Sequence, residues 1–425
     1  MDNSTLSNVR KIIMGGAILL VLGWLWVDGV YQYRMYHQAN PEEGLPLPSL
    51  ALPGVLLAQG LLNRAKGQRD AAQKALEAAA IRHEVFAEAW IELAKIYIEV
   101  DRLPTAARVL NYLTYRFDRG RRWDRPIALL AHHLGDEQVF WHQIRRMTME
   151  AEGRDEVFQL VDDHAKGVVL EGIRFLDASA LIALHQWLIR RQRTSEALAL
   201  WEHLMDKAIV DDSQAISFAH YLLESGFAIQ AINVWPYFTD RAFVTNPGFE
   251  KPPMGRGFGW RIAHDKDNRW AVRRIKLPGP DGNHVLEVKF AGKANLGFGH
   301  VFQFVPITPN QHYQLNYRLR GQGLTTDQRP FVEICRFDNG KQIVKSAMTP
   351  RDSDWQENTV AFEAPADCHV IMMRLRRTPS LRFDNKIAGV LQLDDFELVP
   401  LGEGAAPLAS HRVHSARDRG RQEID

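Results

Sequence analysis

The sequence predicts a multidomain chain: an N-terminal transmembrane helix, an all-α solenoid of repeats, and a C-terminal all-β sandwich. Three observations carry this expectation. A run beginning at Ile12 holds no charge as far as Val27, residues from about Leu52 to Ala242 place apolar side chains at spacings of three and four, and beyond Asn246 the pattern changes to short alternating runs rich in Val, Ile, Phe and Tyr. At 425 residues, 46% hydrophobic and 24% charged, the chain is long enough for several cores and ordinary in composition. Its 52 Lys and Arg nearly balance 51 Asp and Glu, so no global field favours nucleic acid, and no nucleic-acid partner is expected. Two cysteines, Cys335 and Cys368, exclude a disulfide-stapled scaffold and a four-cysteine zinc site.

The anchor is read first. Arg10 and Lys11 precede Ile12, and the uncharged run with Val30 and its flanks approaches the thickness of a bilayer core, so residues 12–30 are expected to cross the membrane once. Asp28 lies near the end, where it can snorkel, and Trp24, Trp26, Tyr31, Tyr33 and Tyr36 suit the headgroup level. No small-x-small cleavage site follows, which favours an uncleaved anchor over a signal peptide. The basic pair on the leading side keeps residues 1–11 cytoplasmic and puts the body outside, in the periplasm of a bacterial inner membrane. Residues 31–51 contain Pro41, Pro46 and Pro48 and read as an extended linker.

Across residues 52–242 the spacing is helical and an internal period emerges. Trp90, Leu93, Ala94 and Tyr97, followed by Ala106, Leu110 and Leu113, place large, small and aromatic residues as a helix-turn-helix repeat needs them. Ala72 precedes Ala106 by 34 residues, with Gly60 and Leu76 at the equivalent small and large positions, and Ala197, Trp201 and Leu204 recur as Ala231, Trp235 and Phe238. This resembles the tetratricopeptide repeat. Between Ala106 and Ala197 the register is lost, beginning at the interruption Arg119 to Pro126. Trp90, Trp187, Trp201 and Trp235 sit at core spacing and read as packing.

Strands are expected at Val285–Phe290, Gly299–Val305, His312–Leu319, Phe331–Phe337, Thr359–Phe362, Val370–Leu375 and Val390–Leu398, with turns at Pro280–Asn283 and Asp338–Lys341. That count and spacing imply a β-sandwich over residues 246–401. Its landmarks run in order: Asn246-Pro-Gly-Phe-Glu250, Gly259-Trp260, Phe304-Val-Pro-Ile-Thr-Pro309 with Tyr313, Trp355, and Leu393-Asp-Asp-Phe396. Together they resemble jelly-roll carbohydrate-binding modules of galactose-binding-like topology. The polar tail, residues 402–425, is expected to be disordered.

The resemblance implies a structural calcium ion held by the opening and closing strands, with Glu250 and Asp395 at the matching positions and Asp394 beside them; a closing turn held only by hydrogen bonds is the alternative. No other cofactor is required. Alternation puts Tyr313, Leu315, Tyr317 and Leu319 inward and Asn316, Arg318 and Arg320 outward, and likewise leaves Arg374 and Arg376 outward. If these strands share a sheet, four arginines line one face and can pair with the carboxylates of an acidic polysaccharide; an ordinary solvated face is the plainer reading. Trp270 either stacks on a sugar ring or packs. Cys335 and Cys368 fall on the outward parity, so a disulfide and two free thiols are both open. His132, His133, His142 and His164 show no metal spacing, and no Walker, dinucleotide, nucleophile-elbow or HExxH motif occurs.

These features read as a non-enzymatic, membrane-anchored scaffold. Helical repeats supply a groove for protein partners and the jelly roll a face for a glycan, and the pairing resembles accessory proteins of bacterial exopolysaccharide synthesis and export. A structural subunit of another envelope complex, or a polysaccharide-modifying enzyme, are the competing readings.

Overall fold

Helical spacing becomes helix from Pro53 onward, and alternation becomes strand from Arg261. The computed structural model describes residues 53–117, 120–150, 152–165, 169–237, 243–278 and 282–402. The span expected at 12–30, the linker at 31–51 and the tail from 403 lie outside the described residues, among which no helix is long and apolar enough to cross a membrane.

The helices are α1 (Pro53–Ala65), α2 (Arg69–Arg82), α3 (Ala87–Glu99), α4 (Leu103–Phe117), α5 (Asp124–Leu134), α6 (Glu137–Thr148), α7 (Arg154–His164), α8 (Ala178–Arg190), α9 (Thr194–Asp206), α10 (Asp212–Glu224) and α11 (Ala228–Val234). Single 3-10 segments at Arg121–Trp123 and Val169–Phe175 lie in the stretch where the repeat register is lost. Caps set the boundaries. Asp211 and Gln214 form a capping box ahead of α10, the Asp136 and Asp177 carboxylates accept from the first-turn amides of α6 and α8, and Gly135 ends α5 at a φ of 69°.

The chain divides into two compact units, one reaching Arg191 and one beginning at Gln192. In the first, Ala72, Leu76, Ala106 and Leu110 are fully buried, and Gly60 lets α1 approach α2 so closely that a Cβ there would meet Leu76 Cγ at 2.6 Å. Ion pairs join residues 34 and 35 positions apart: Arg122 with Glu88 at 2.6 Å and Arg190 with Asp155 at 2.6 Å. They are exposed, so each contributes little to stability.

The second unit holds α9 to α11 together with the sandwich. Ala197, Trp201, Leu204, Ala231 and Trp235 are buried in it. Trp235 packs against the opening of the sandwich: its ring lies 5.6 Å from that of Phe258 and its Nε1 donates to Thr245 Oγ1 at 3.3 Å. Gly257, at a φ of 56°, is required beneath it, because a Cβ would come within 2.2 Å of the indole.

The strands are β1 (Arg261–Ile262), β2 (Trp270–Lys276), β3 (His284–Ala291), β4 (Phe298–Pro306), β5 (His312–Gln322), β6 (Phe331–Arg336), β7 (Gln342–Lys345), β8 (Gln356–Glu363), β9 (Val370–Arg377) and β10 (Ala388–Leu401). They form two five-stranded sheets, a first in the order β1-β4-β9-β6-β7 and a second in the order β2-β3-β10-β5-β8, with every pair antiparallel. From β3 on, the chain passes from one sheet to the other at nearly every connection, which is the jelly-roll way of wrapping two sheets round one core. The core takes one parity of each strand: Leu286, Val288 and Phe290 from β3, Tyr313, Leu315, Tyr317 and Leu319 from β5, Ile371, Met373 and Leu375 from β9.

The sequence landmarks meet at one end of that core. Phe249, Trp260 and Phe396 stack within about 5 to 6 Å of one another, and Phe396 lies parallel to Tyr317 at 5.3 Å. The phenylalanines of the opening and closing motifs therefore close the barrel-like end of the sandwich as one cluster.

Candidate functional site

A sheet face in water should read polar. The second sheet obeys this. On β5, Asn316, Arg318 and Arg320 point away from the core and stand opposite Glu397, Asp394 and Gln392 of β10, and Thr359 and Glu357 of β8 flank Asn316 and Arg318. Arg318 Nη1 lies 3.1 Å from Asp395 Oδ2 and its guanidinium 5.3 Å from the Trp355 ring centre. Asn316 accepts from Gln314 Nε2 at 2.8 Å. Charge is met by charge across this face, as in an ordinary solvated sheet.

The first sheet departs from the rule. Register aligns Arg261, Phe302, Arg374, Glu333 and Lys345 in one row across all five strands, and Phe304, Met372 and Cys335 in the next. Phe302, Phe304, Met372, Arg374 and Arg376 are half-buried there. Arg374 Nε donates to Glu333 Oε2 at 2.6 Å, with 22% and 8% of the two side chains exposed. The Arg261 guanidinium sits 4.6 Å from the Phe304 ring centre and 5.9 Å from that of Phe302, and Nη1 pairs with Glu224 of α10 at 2.9 Å. Phe337 closes edge-on over Phe304 at 4.8 Å. Beneath them Cys335 is wholly buried, and burial pushes its thiol up to about 11. Aromatic planes beside a fixed guanidinium and carboxylate are what a polyhydroxylated ring needs: apolar stacking for its C–H face and charged hydrogen-bond partners for its hydroxyls.

Several expectations are corrected by this topology. The arginine face does not exist as one surface, because β5 and β9 lie in different sheets: Arg318 and Arg320 are outward on the second sheet, Arg374 and Arg376 on the first. Trp270 is a core residue rather than a sugar platform, buried edge-on against Phe298 at 5.2 Å and stacked on His300 at 4.9 Å. Its position on β2, opposite Phe290, puts it on the inward parity. Cys335 and Cys368 are free thiols; Cys368 belongs to the core cluster and donates to the Val370 carbonyl at 3.2 Å, whereas Cys335 lies outside that cluster beside Met372.

Each residue expected to hold calcium is engaged with a protein partner. Glu250 spends both oxygens on His284, accepting from its backbone amide and meeting its Nδ1, each at 3.0 Å, and these bonds hold its carboxyl below the usual range. The Phe249 and Glu250 carbonyls accept from Arg274 Nε and Nη2, each at 2.6 Å. Asp395 pairs with Arg318, and Asp394 accepts from Asn283 Nδ2 at 2.8 Å and from the Asp395 amide at 2.9 Å. Burial raises the Asp394 carboxyl. Among the described residues no group of three or more His, Cys, Asp or Glu could hold a metal.

In the first unit the described helices border an open groove of about 570 Å³, lined by Leu57 and Leu61 of α1, Ile91 and Ile98 of α3, and Trp123 and Leu129. It is a mostly apolar groove with charged rims. Farther along, His132 and His164 meet through their Nδ1 atoms at 2.8 Å, and His164 Nε2 reaches Glu137 Oε1 at 2.8 Å while stacking on Phe140 at 3.7 Å. Sequence spacing could not show this chain, since its members come from three helices.

No protein-family model and no curated protein matches the sequence. Among solved structures, the chain is similar to one described as "CBM4 structure and function", at 17% identity over 37% of this chain and 99% of that one, TM-score 0.28. It is similar to TmCBM61 in complex with beta-1,4-galactotriose, at 18% identity over 38% and 99%, TM-score 0.26. It is also similar to a Family 16 Carbohydrate Binding Module-2, at 17% identity over 37% and 99%, TM-score 0.25.

Proposed function

We propose that this chain is a non-catalytic, membrane-anchored scaffold of exopolysaccharide synthesis or export, in which the sandwich holds a glycan strand across the outer face of its first sheet and the helical repeats hold protein segments. The observation that carries the reading is the row Arg261, Phe302, Arg374, Glu333 and Lys345, with Phe304 beside it: an aromatic and charged band where a solvated sheet would be polar throughout. Arg374 and Arg376 favour an anionic glycan, because guanidinium pairs with carboxylate in a fixed fork. The apolar groove bordered by α1, α3 and Trp123 suits an amphipathic segment of a protein partner. The basic pair Arg10 and Lys11 ahead of the apolar run supports a periplasmic location for both.

The test is binding of the full chain, in detergent or nanodiscs, to acidic and neutral polysaccharides by affinity electrophoresis. Phe304→Ala and Arg376→Ala are each expected to weaken binding to an acidic glycan about tenfold, which is about 1.4 kcal/mol. Binding unchanged in both variants, or none across a broad glycan array, removes the sugar half; turnover of any polysaccharide removes the non-catalytic reading.

One observation favours the second reading, a subunit that uses the sandwich to touch protein. Leu381 and Phe383 stand fully exposed at 102% and 105% on the loop between β9 and β10. The loop is held at its base by Ser380, whose Oγ donates to Asp327 and whose amide donates to Asn295 Oδ1 at 2.9 Å. Crosslinking from position 383 in native membranes to a single protein subunit would support that reading.

A further inference from the structure

The geometry points to Arg274 as the built-in cation of the junction where the sandwich opens and closes, doing with a side chain what a bound calcium ion would otherwise do. The claim stands apart from the glycan reading and rests on other residues. On β2, Trp270 and Val272 face the core opposite Phe290 and Val288, and Arg274, opposite Leu286, continues that inward parity at the end of the strand. An arginine there would be costly unless its donors were met. They are met by the opening loop: Nε donates to the Phe249 carbonyl and Nη2 to the Glu250 carbonyl, both at 2.6 Å.

That loop is bent so as to offer those carbonyls. Asn246 and Phe249 adopt left-handed φ values of 53° and 55°, and the Asn246 side chain brackets Lys251, accepting from its amide at 3.0 Å and donating to its carbonyl at 2.6 Å. Phe249 is thereby driven into the cluster with Trp260 and Phe396, while its carbonyl turns back toward β2. Neighbouring carbonyls in a bent loop, with carboxylates from the opening and closing strands nearby, form the kind of oxygen cage that takes a hard cation. Here the positive charge is a guanidinium, which stays charged at any pH a protein meets and whose planar fork reaches two carbonyls at once. The carboxylates already have protein partners, Glu250 in His284, Asp395 in Arg318 and Asp394 in Asn283 and the Asp395 amide, so a divalent ion would have to displace those bonds to repay its dehydration.

The consequence is a sandwich whose closure does not depend on calcium, so that it would keep its shape beside an acidic polysaccharide that sequesters divalent ions. The experiment is thermal unfolding of the full chain by tryptophan fluorescence, in excess EDTA and in millimolar calcium chloride, together with equilibrium dialysis against radioactive calcium. The wild-type chain is expected to melt at the same temperature in both and to retain no calcium in dialysis; Arg274→Gln is expected to melt several degrees lower. A rise in the wild-type melting temperature with calcium, or stoichiometric retention, overturns the assignment, as does an Arg274→Gln chain that melts like wild type. Should Arg274→Gln fail to fold, the wild-type melts and dialysis decide the matter alone.

Discussion

Removing both members of the Arg374–Glu333 pair should cost no more than removing one. The two side chains meet at 2.6 Å on the outer face of the first sheet, with Glu333 only 8% exposed and Arg374 22% exposed. Truncating one partner of a buried pair costs about 3–5 kcal/mol, most of it the burial of the charge left behind, whereas replacing both with apolar groups is often near neutral. The partial exposure of Arg374 lets water reach the site, so each single alanine variant should lose about 2–3 kcal/mol. The pair variant, Glu333→Ala with Arg374→Ala, should lose no more than either single, a coupling of about 2 kcal/mol. Urea unfolding of the three variants measures this directly. Losses that add to within about 0.5 kcal/mol would refute the buried-pair account. The outcome also governs how glycan binding is read, since an Arg374→Ala defect that the second substitution restores would reflect a deformed face rather than a lost sugar contact.

Other outcomes follow from the same geometry. Both thiols, buried and raised by burial, should resist alkylation at pH 8 in the native chain and react fully in urea; rapid native labelling of Cys335 would contradict its burial. His132 is held below its ordinary value of 6.5, first by burial and then by His164 and His133, against the opposing pull of Asp163 and Glu137. A histidine kept neutral on folding contributes stability that is fully present above 6.5 and is lost as pH falls through that value toward its lowered one. The first unit should therefore melt lower at pH 5 than at pH 7.5, and His132→Asn should flatten that dependence. Trp235→Ala should cost about 3–5 kcal/mol as a large-to-small change at a buried site. Its loss should be seen in unfolding of the sandwich, not of helices alone, because its partners are Phe258 and Thr245.

Much of the fold was legible because it rests on periodicity. All seven expected strands are present with ends shifted by a few residues, the turn expected at Asp338–Lys341 lies between β6 and β7, and the one expected at Pro280–Asn283 falls partly outside the described residues. Three strands escaped for local reasons: β1 is two residues long, β7 is four, and β2 carries Arg273, Arg274 and Lys276, which hide its alternation. Chemistry was harder to read. Outward parity was correct for Arg318, Arg320, Arg374 and Arg376, but parity says which side of its own sheet a residue takes and nothing about which sheet that is.

The sequence by itself determined the order of helix and strand, the parity of each strand, and the motif phenylalanines Phe249 and Phe396 that meet at the closed end of the core, because these depend on hydrophobic burial along a local period. Only the tertiary structure decided which strands are neighbours, and hence that Phe302, Arg374 and Glu333 form one row while Arg318 answers Asp395 on the opposite face. It also decided that Arg274 of β2 reaches the Phe249 and Glu250 carbonyls of the opening loop. Pairings between residues tens of positions apart are fixed by packing and charge in three dimensions, and no local pattern records them.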